Sequence, residues 1–81
     1  MGIYIKAKKI SENKESLIYN YGLSPDDLEY VLKIYKGSYE VKRIFGSQEL
    51  SPDITSMMIS AKIYGYFKCN GKFPDEISKE A

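Results

Sequence analysis

The sequence predicts an α+β fold (ββββα): a four-stranded antiparallel sheet, built as two consecutive β-hairpins, packed on one face by a single C-terminal α-helix. Three observations lead to this prediction. Polar and apolar residues alternate along four short segments, which is typical of half-buried strands. A longer segment near the C-terminus has helix signals at both ends. The 81 residues are enough for one domain, 1–81, with a marginal core.

The first hairpin is predicted from two segments that flank a polar turn. Residues 2–10 alternate, so that Ile5 and Lys6 point to opposite sides of a strand. Residues 16–22 are rich in strand-forming residues and alternate as well. Only about five residues connect the two segments, and a connection that short favours a hairpin.

The segment 24–36 has two possible interpretations. It begins with a capping serine, a proline and two acidic residues, which is how a helix often starts. However, aromatic and β-branched residues dominate its second half, and a second alternating segment follows the turn at Gly37. We therefore predict strands over about 29–36 and 39–45, preceded by a tight turn at 24–27. Four strands also form a more stable sheet than two separate hairpins.

The C-terminal helix is predicted over about 52–70. Ser51 is expected to cap it and Pro52 to occupy its first position. Gly71 is expected to end it in a left-handed conformation, and Pro74 prevents it from resuming.

Two segments around this helix are predicted to lack regular structure. Residues 46–50 are expected to form a connection, and the tail 73–81 is expected to be partly loose. Phe73 and Ile77 are the one apolar pair of the tail that could pack against the body of the domain.

The predicted helix carries apolar residues on two opposite sides. At about 100° per residue, the side expected to lie on the sheet consists of Ile54, Met57, Met58, Ala61, Tyr64 and Gly65. The opposite side is expected to face outward and to act as a protein interface. The candidate interface residues are Ile59, Ile63, Tyr66 and Phe67.

Three alternatives are open for this outward side. It could contact a second copy or another protein, since aromatic residues are favoured at interfaces. The tail could instead fold back and cover it with Phe73 and Ile77. Finally, it could be merely exposed, because isolated apolar residues are common on surfaces. We favour association, and a twofold homodimer is its simplest form.

A second candidate surface is the sheet face away from the helix. Aromatic and basic residues are expected to alternate there, a pattern that in general chemistry suits single-stranded nucleic acid. Such alternation is also usual on solvated sheet faces. The candidate nucleic-acid face consists of Tyr4, Lys6, Lys8, Lys33, Tyr35 and Lys42.

The composition argues against an enzyme or a metal protein. The chain has no histidine, so the usual acid–base catalyst near neutral pH is missing, and its net charge of +1 gives no bulk attraction to nucleic acid. Cys69 is expected near the negative end of the helix dipole, which disfavours a reactive thiolate. The acidic residues Asp26, Asp27 and Glu29 match no calcium loop. We therefore predict no cofactor and no metal.

The expected function is a small accessory module that associates with protein and performs no chemistry. The single cysteine fits a reducing compartment, and the chain has neither a signal-peptide pattern nor an apolar run that would span a membrane. A cytoplasmic, bacterial protein is the expectation from these features and from the bias toward Lys, Ile, Tyr and Asn. The sequence does not name a partner or a ligand.

Overall fold

The computed structural model describes residues 4–24 and 28–80, which form one antiparallel sheet and one helix. The strands and the helix follow the chain in this order: β1 (Tyr4–Glu12), β2 (Ser16–Gly22), β3 (Tyr30–Tyr35), β4 (Val41–Phe45), β5 (Gln48–Leu50), α1 (Ile54–Asn70) and β6 (Glu76–Glu80). The predicted α+β class is confirmed, but the sheet has six strands and not four.

The strand order is β5-β4-β3-β2-β1-β6, with every neighbouring pair antiparallel. The first five strands therefore form a continuous meander, since β2 also pairs with β3 and joins the two predicted hairpins. After α1 crosses one face of the sheet, the chain returns to its start, and β6 adds to the free edge of β1.

The strand interpretation of the segment 24–36 is confirmed for Tyr30–Tyr35, which form β3. β3 pairs along its whole length with β2, so that tertiary pairing outweighs the local helix signals. Of the turn predicted at 24–27, residues 25–27 lie outside the described residues, as do residues 2 and 3 of the first predicted strand.

The prediction of an irregular connection at 46–50 is wrong for its second part. Gly46 has φ of 63°, a left-handed conformation that glycine adopts without steric cost, and the chain reverses there. Gln48–Leu50 then pair with β4, with Leu50 opposite Arg43. So short a strand gives almost no alternation signal in the sequence.

The prediction of a partly loose tail is also wrong for the described residues. Residues 76–80 pair with β1 in a regular antiparallel register, with Ile77 opposite Ala7. The amide of Lys9 also donates to the carbonyl of Asp75 at 2.7 Å. Without β6, the edge of β1 would expose a row of unpaired backbone groups, so this pairing satisfies both segments.

The core lies between α1 and the sheet face that it covers. Its centre contains two tyrosines, Tyr19 and Tyr21, whose rings are almost fully buried. The Tyr19 hydroxyl donates to the carbonyl of Pro74 at 2.7 Å, which ties β2 to the segment after α1. Burial raises the pKa of this phenol above its ordinary value. The remaining core residues are Ile5, Ala7, Leu17, Leu32, Ile34, Ile59, Ile63 and Phe73.

Replacing Tyr19 by Phe tests how much this buried hydrogen bond stabilises the fold. The Tyr19→Phe variant removes the donor and leaves the buried Pro74 carbonyl unpaired, so we expect the free energy of unfolding to fall by about 1–2 kcal/mol. Urea denaturation followed by circular dichroism measures the change. The exposed Tyr66 provides the control, and Tyr66→Phe should be close to neutral. Equal stability of the two variants would contradict this role for Tyr19.

Candidate interaction surfaces

The start of α1 is fixed by Asp53, and the prediction that Ser51 caps the helix is wrong. The Asp53 carboxylate accepts a hydrogen bond from the Ser56 amide at 2.8 Å, and the Ser56 hydroxyl accepts one from the Asp53 amide at 2.9 Å. This reciprocal pair is a capping box, in which serine takes the place of the more usual Glu or Gln. Arg43 of β4 holds the same end of the helix by donating to the Ser51 carbonyl at 2.7 Å.

The end of α1 agrees with the sequence. Gly71 has φ of 76°, and its amide donates to the Phe67 carbonyl at 2.8 Å. The chain then turns so that the Phe73 ring stacks on the Phe67 ring, with centroids 4.2 Å apart and planes 7° from parallel. The helix is therefore fixed at both ends to the sheet and to the segment that leads into β6.

The predicted orientation of the helix is wrong, because α1 presents to the sheet the side that was expected to face outward. Ile59 and Ile63 are fully buried, and Ser56 and Ser60 lie beside them on the same inner stripe. We attribute this choice to volume. Two isoleucines fill the space above the sheet, whereas the other side has Ala61 and Gly65 at its centre and would leave voids.

The four predicted interface residues consequently have different positions. Ile59 and Ile63 belong to the core, so they do not form an exposed contact surface. Phe67 is half-buried and packs against the core through Phe73. Tyr66 alone is exposed. The alternative that the tail covers this side is realised in part, since Phe73 covers Phe67, while the sheet covers Ile59 and Ile63.

The outer face of α1 is instead formed by Ile54, Met57, Met58, Ala61, Tyr64 and Gly65. Ile54 is 77% exposed, Met57 56% and Tyr64 38%. Ala61 and Gly65 are exposed at its centre, and Met58 is half-buried at one side. A Cβ atom built on Gly65 would meet no atom within 4 Å, so the space above this glycine is open.

An apolar groove of about 390 Å³ runs along one flank of this face, between α1 and β4. Its wall on the helix side is formed by Met57, Ala61 and Tyr64, and Val41 of β4 lies on the other side. The ring of Tyr39 closes one end by packing edge-on against Tyr64, with centroids 4.4 Å apart. The groove exists because a helix about 10 Å wide cannot cover six strands spaced about 4.8 Å apart.

The residues of the candidate nucleic-acid face lie together on the side of the sheet away from α1. Five of its residues alternate with buried core residues along β1 and β3, and the sixth, Lys42 of β4, lies opposite Lys33 in the register. Three of its lysines form ion pairs with carboxylates: Lys6 with Glu76 at 2.7 Å, Lys33 with Glu49 at 3.6 Å and Lys42 with Glu40 at 3.0 Å.

Two of those carboxylates come from the strands that the sequence did not reveal. Glu49 lies on β5 and Glu76 on β6, so missing these strands made the face look more basic than it is. The Tyr35 hydroxyl also donates to Glu49 at 2.6 Å. Hydrogen bonds from Tyr35 to Glu49 and from Lys6 to Glu76 lower the pKa of each carboxyl group. The face therefore carries charges of both signs.

A cluster of charged side chains joins the end of β1, the turn after β3 and the segment after α1. Glu12 of β1 accepts hydrogen bonds from Lys9 and from Lys36, each at 2.7 Å. The Lys36 ammonium lies 5.7 Å from the centre of the Phe73 ring. The hydrogen bonds from Lys36 and Lys9 lower the pKa of the Glu12 carboxyl group. These contacts stabilise the packing of the chain after α1 on the first hairpin.

Other candidate features remain without a site. Cys69 is exposed near the end of α1. Within residues 4–24 and 28–80, no group of three or more metal-ligating side chains comes together; Asp26 and Asp27 lie outside these ranges. The same part of the chain contains no helix long and apolar enough to cross a membrane.

Comparison of the chain with known protein families, with curated proteins and with solved structures finds no match.

The orientation of α1 predicts very different costs for two isoleucine truncations. Ile63→Ala removes a fully buried side chain, and we expect the free energy of unfolding to fall by about 2–5 kcal/mol. Ile54→Ala is the matched control on the exposed side and should change it by less than about 0.5 kcal/mol at concentrations where the chain is monomeric. Chemical denaturation measures both values. The reverse order would show that the other side of the helix is buried.

The lowered pKa of Glu12 predicts a loss of stability in acid. The carboxylate contributes its full stabilisation above its ordinary pKa of about 4.5. This contribution is lost as the pH falls through the lower folded-state pKa. Glu12→Gln lacks it at every pH, so the difference in unfolding free energy between wild type and variant should shrink below pH 4.5. Denaturation curves between about pH 7 and pH 3 measure this difference. A difference that is constant over this range would contradict the assignment.

Proposed function

We propose that this chain is a non-enzymatic protein-association module that self-associates through the outer face of α1. The observation that carries the proposal is the exposure of Ile54, Met57 and Tyr64 on one continuous helix face, next to an apolar groove. No other segment among the described residues covers that face. Contiguous exposed apolar surface bordered by polar residues is typical of interaction sites.

Gly65 gives independent support for a close contact on this face. Glycine in a helix interior costs about 1 kcal/mol relative to alanine. Usually such a cost is explained by a neighbour that leaves no room for a Cβ atom, but within this chain the position faces open space. A glycine at the centre of an exposed apolar face would let the backbone of a second chain approach closely.

The edges of the sheet are poor alternatives for self-association. β5 has only three residues, and β6 carries Glu76, Lys79 and Glu80. A twofold pairing of β6 about Ser78 would place Glu76 opposite Glu80 of the second copy. Like charges in directly opposed positions destabilise a strand pair. Short and charged edge strands are features that block such pairing, which leaves the helix face as the surface available for contact.

Three features of the sequence support the rest of the proposal. The chain contains no histidine, which is the most common catalytic acid or base near neutral pH. Its single cysteine suits a reducing compartment such as the cytoplasm, where structural disulfides are rare. A domain of 81 residues also has a small core, and association is one established way to add stability to such scaffolds.

Binding of single-stranded nucleic acid is the second candidate function. The observation in its favour is the alignment of Tyr4, Lys6, Lys8, Lys33, Tyr35 and Lys42 on one sheet face. Against it, Glu49 and Glu76 lie among the lysines and reduce the positive potential that a phosphate backbone needs. We therefore place association first.

Self-association is tested by sedimentation equilibrium of wild type and of the Met57→Glu variant. The wild type should have twice the mass of one chain at high micromolar concentration. Met57→Glu places a charge on the outer face and should weaken dimerisation at least tenfold, because a charge buried without a partner is costly. Leu23→Glu is the matched control, since Leu23, in the bend after β2, is 57% exposed and Met57 on the helix is 56% exposed.

The mass of one chain for the wild type at every concentration would overturn the proposal. Dissociation by Leu23→Glu with no effect of Met57→Glu would place the contact elsewhere. Retention of single-stranded oligonucleotides at low salt, with steep release as salt rises, would favour the second candidate.

A further inference from the structure

We infer that β6 is a releasable acidic strand that competes with single-stranded nucleic acid for the lysines of β1 and thereby masks the open face of the sheet. This inference rests on the second candidate function and is independent of self-association through α1. It depends on three properties: the charge that β6 places on the open face, the absence of buried side chains from β6, and the attachment of the segment that precedes it.

The carboxylates of β6 lie on the same face as two lysines of β1. Glu76 lies opposite Lys8 in the strand register, and it forms an ion pair with Lys6 at 2.7 Å. Glu80 lies opposite Tyr4, and directly opposed residues of an antiparallel pair point to the same side of the sheet. A hydrogen bond from Lys6 lowers the pKa of the Glu76 carboxyl group, which is therefore ionised at neutral pH. Carboxylates of the same chain thus lie where phosphate groups would bind.

The balance of charge on the open face depends on β6. On the strands of the described chain, four lysines and three glutamates point to this face: Lys6, Lys8, Lys33, Lys42, Glu49, Glu76 and Glu80. Release of β6 removes two of the three glutamates and none of the lysines. Outside the strands, Glu40 pairs with Lys42 and Glu29 precedes β3, and neither moves with β6. The released state therefore attracts a phosphate backbone more strongly, mainly at β1.

β6 is held less firmly than the strands of the core. It lies at the edge of the sheet and pairs with β1 on one side only. None of its five side chains is buried, and only Ile77 and Lys79 are half-buried, whereas five of the seven residues of β2 are buried. Segments with few buried contacts open at a small fraction of the free energy of global unfolding. β6 is therefore expected to leave the sheet without unfolding of the core.

The segment before β6 keeps its contacts when β6 leaves. The buried Phe73 ring stacks on Phe67, and the Pro74 carbonyl accepts the hydrogen bond from Tyr19. The Asp75 carbonyl accepts a hydrogen bond from the backbone amide of the residue after Lys8 at 2.7 Å. Release of residues 76–80 consequently exposes the edge of β1, where water can satisfy the backbone groups. The packing of α1 on the sheet is retained.

Binding of a fluorescently labelled oligothymidine at low salt tests the masking. Glu76→Gln should bind about threefold more tightly than the wild type, and the double variant with Glu80→Gln about tenfold, because exposed ion pairs are of modest strength. Asp75→Asn is the matched control. It removes the same charge from the adjacent residue, whose carboxylate pairs with Lys9 at 3.1 Å on the helix side of the sheet, so it should change affinity less than about 1.5-fold. Fluorescence anisotropy measures the dissociation constants.

A substitution at Lys8 tests whether the gain in affinity depends on β1. In the Glu76→Gln background, Lys8→Gln should remove the gain, because the lysine that the carboxylate masked is then absent. Lys62→Gln is the control in the same background. It removes an exposed lysine from α1 and should leave the gain in place.

Hydrogen exchange followed by nuclear magnetic resonance measures the release itself. In the free wild type, the amides of residues 76–80 should exchange faster than those of β2. Saturation with oligothymidine should make exchange of residues 76–80 faster still, because a ligand shifts the population toward the state that it binds better. The amides of β2 serve as the internal reference and should not change.

The outcomes separate this inference from the association proposal. Equal gains for Glu76→Gln and Asp75→Asn would overturn the inference, because binding would then follow net charge alone. Tighter binding by Glu76→Gln without faster exchange of β6 on saturation would also overturn it, since masking would not involve release. No binding by the wild type or any variant would overturn both the inference and the second candidate function, and self-association would still be decided by sedimentation equilibrium.

Discussion

The burial of one stripe of α1 is the constraint on which the rest of the structure depends. Ile59 and Ile63 fill the space between the helix and the sheet, with Ser56 and Ser60 beside them. The capping box of Asp53 and the stacking of Phe67 on Phe73 hold this orientation at the two ends of the helix. Because the orientation is fixed, every apolar residue on the opposite side must face away from the core of its own chain.

The surface that results has properties that differ from those of the sheet face. The outer face of α1 is apolar at its centre, with Lys62 exposed at one side and Asp53 and Lys68 near its ends. The open face of the sheet carries lysines interleaved with carboxylates, and ion pairs between exposed groups contribute little stability but keep such a face solvated. The proposed association through the helix would bury apolar surface, whereas association through the sheet would have to desolvate these ion pairs.

The sequence predicted the fold class, the first four strands and the span of the helix, because alternation and helix-end signals are local. It did not predict β5 and β6, since strands of three and five residues at a sheet edge depend on pairing with a partner strand. The orientation of α1 was also missed. The helix has two apolar sides, so hydrophobic periodicity could not decide between them. The small volumes of Ala61 and Gly65 are the available signal, because small residues fill a core poorly.

The most direct test of this account is the set of nuclear Overhauser effects between methyl groups of the isotopically labelled protein, measured at a concentration where it is monomeric. The account predicts contacts from the Ile63 methyl groups to methyl groups of core residues on the sheet, such as Leu17 and Leu32, and none from the Ile54 methyl groups to these residues. Contacts from Ile54 to the sheet core, with Ile63 free of them, would contradict the account, because the apolar outer face would then be the inner one.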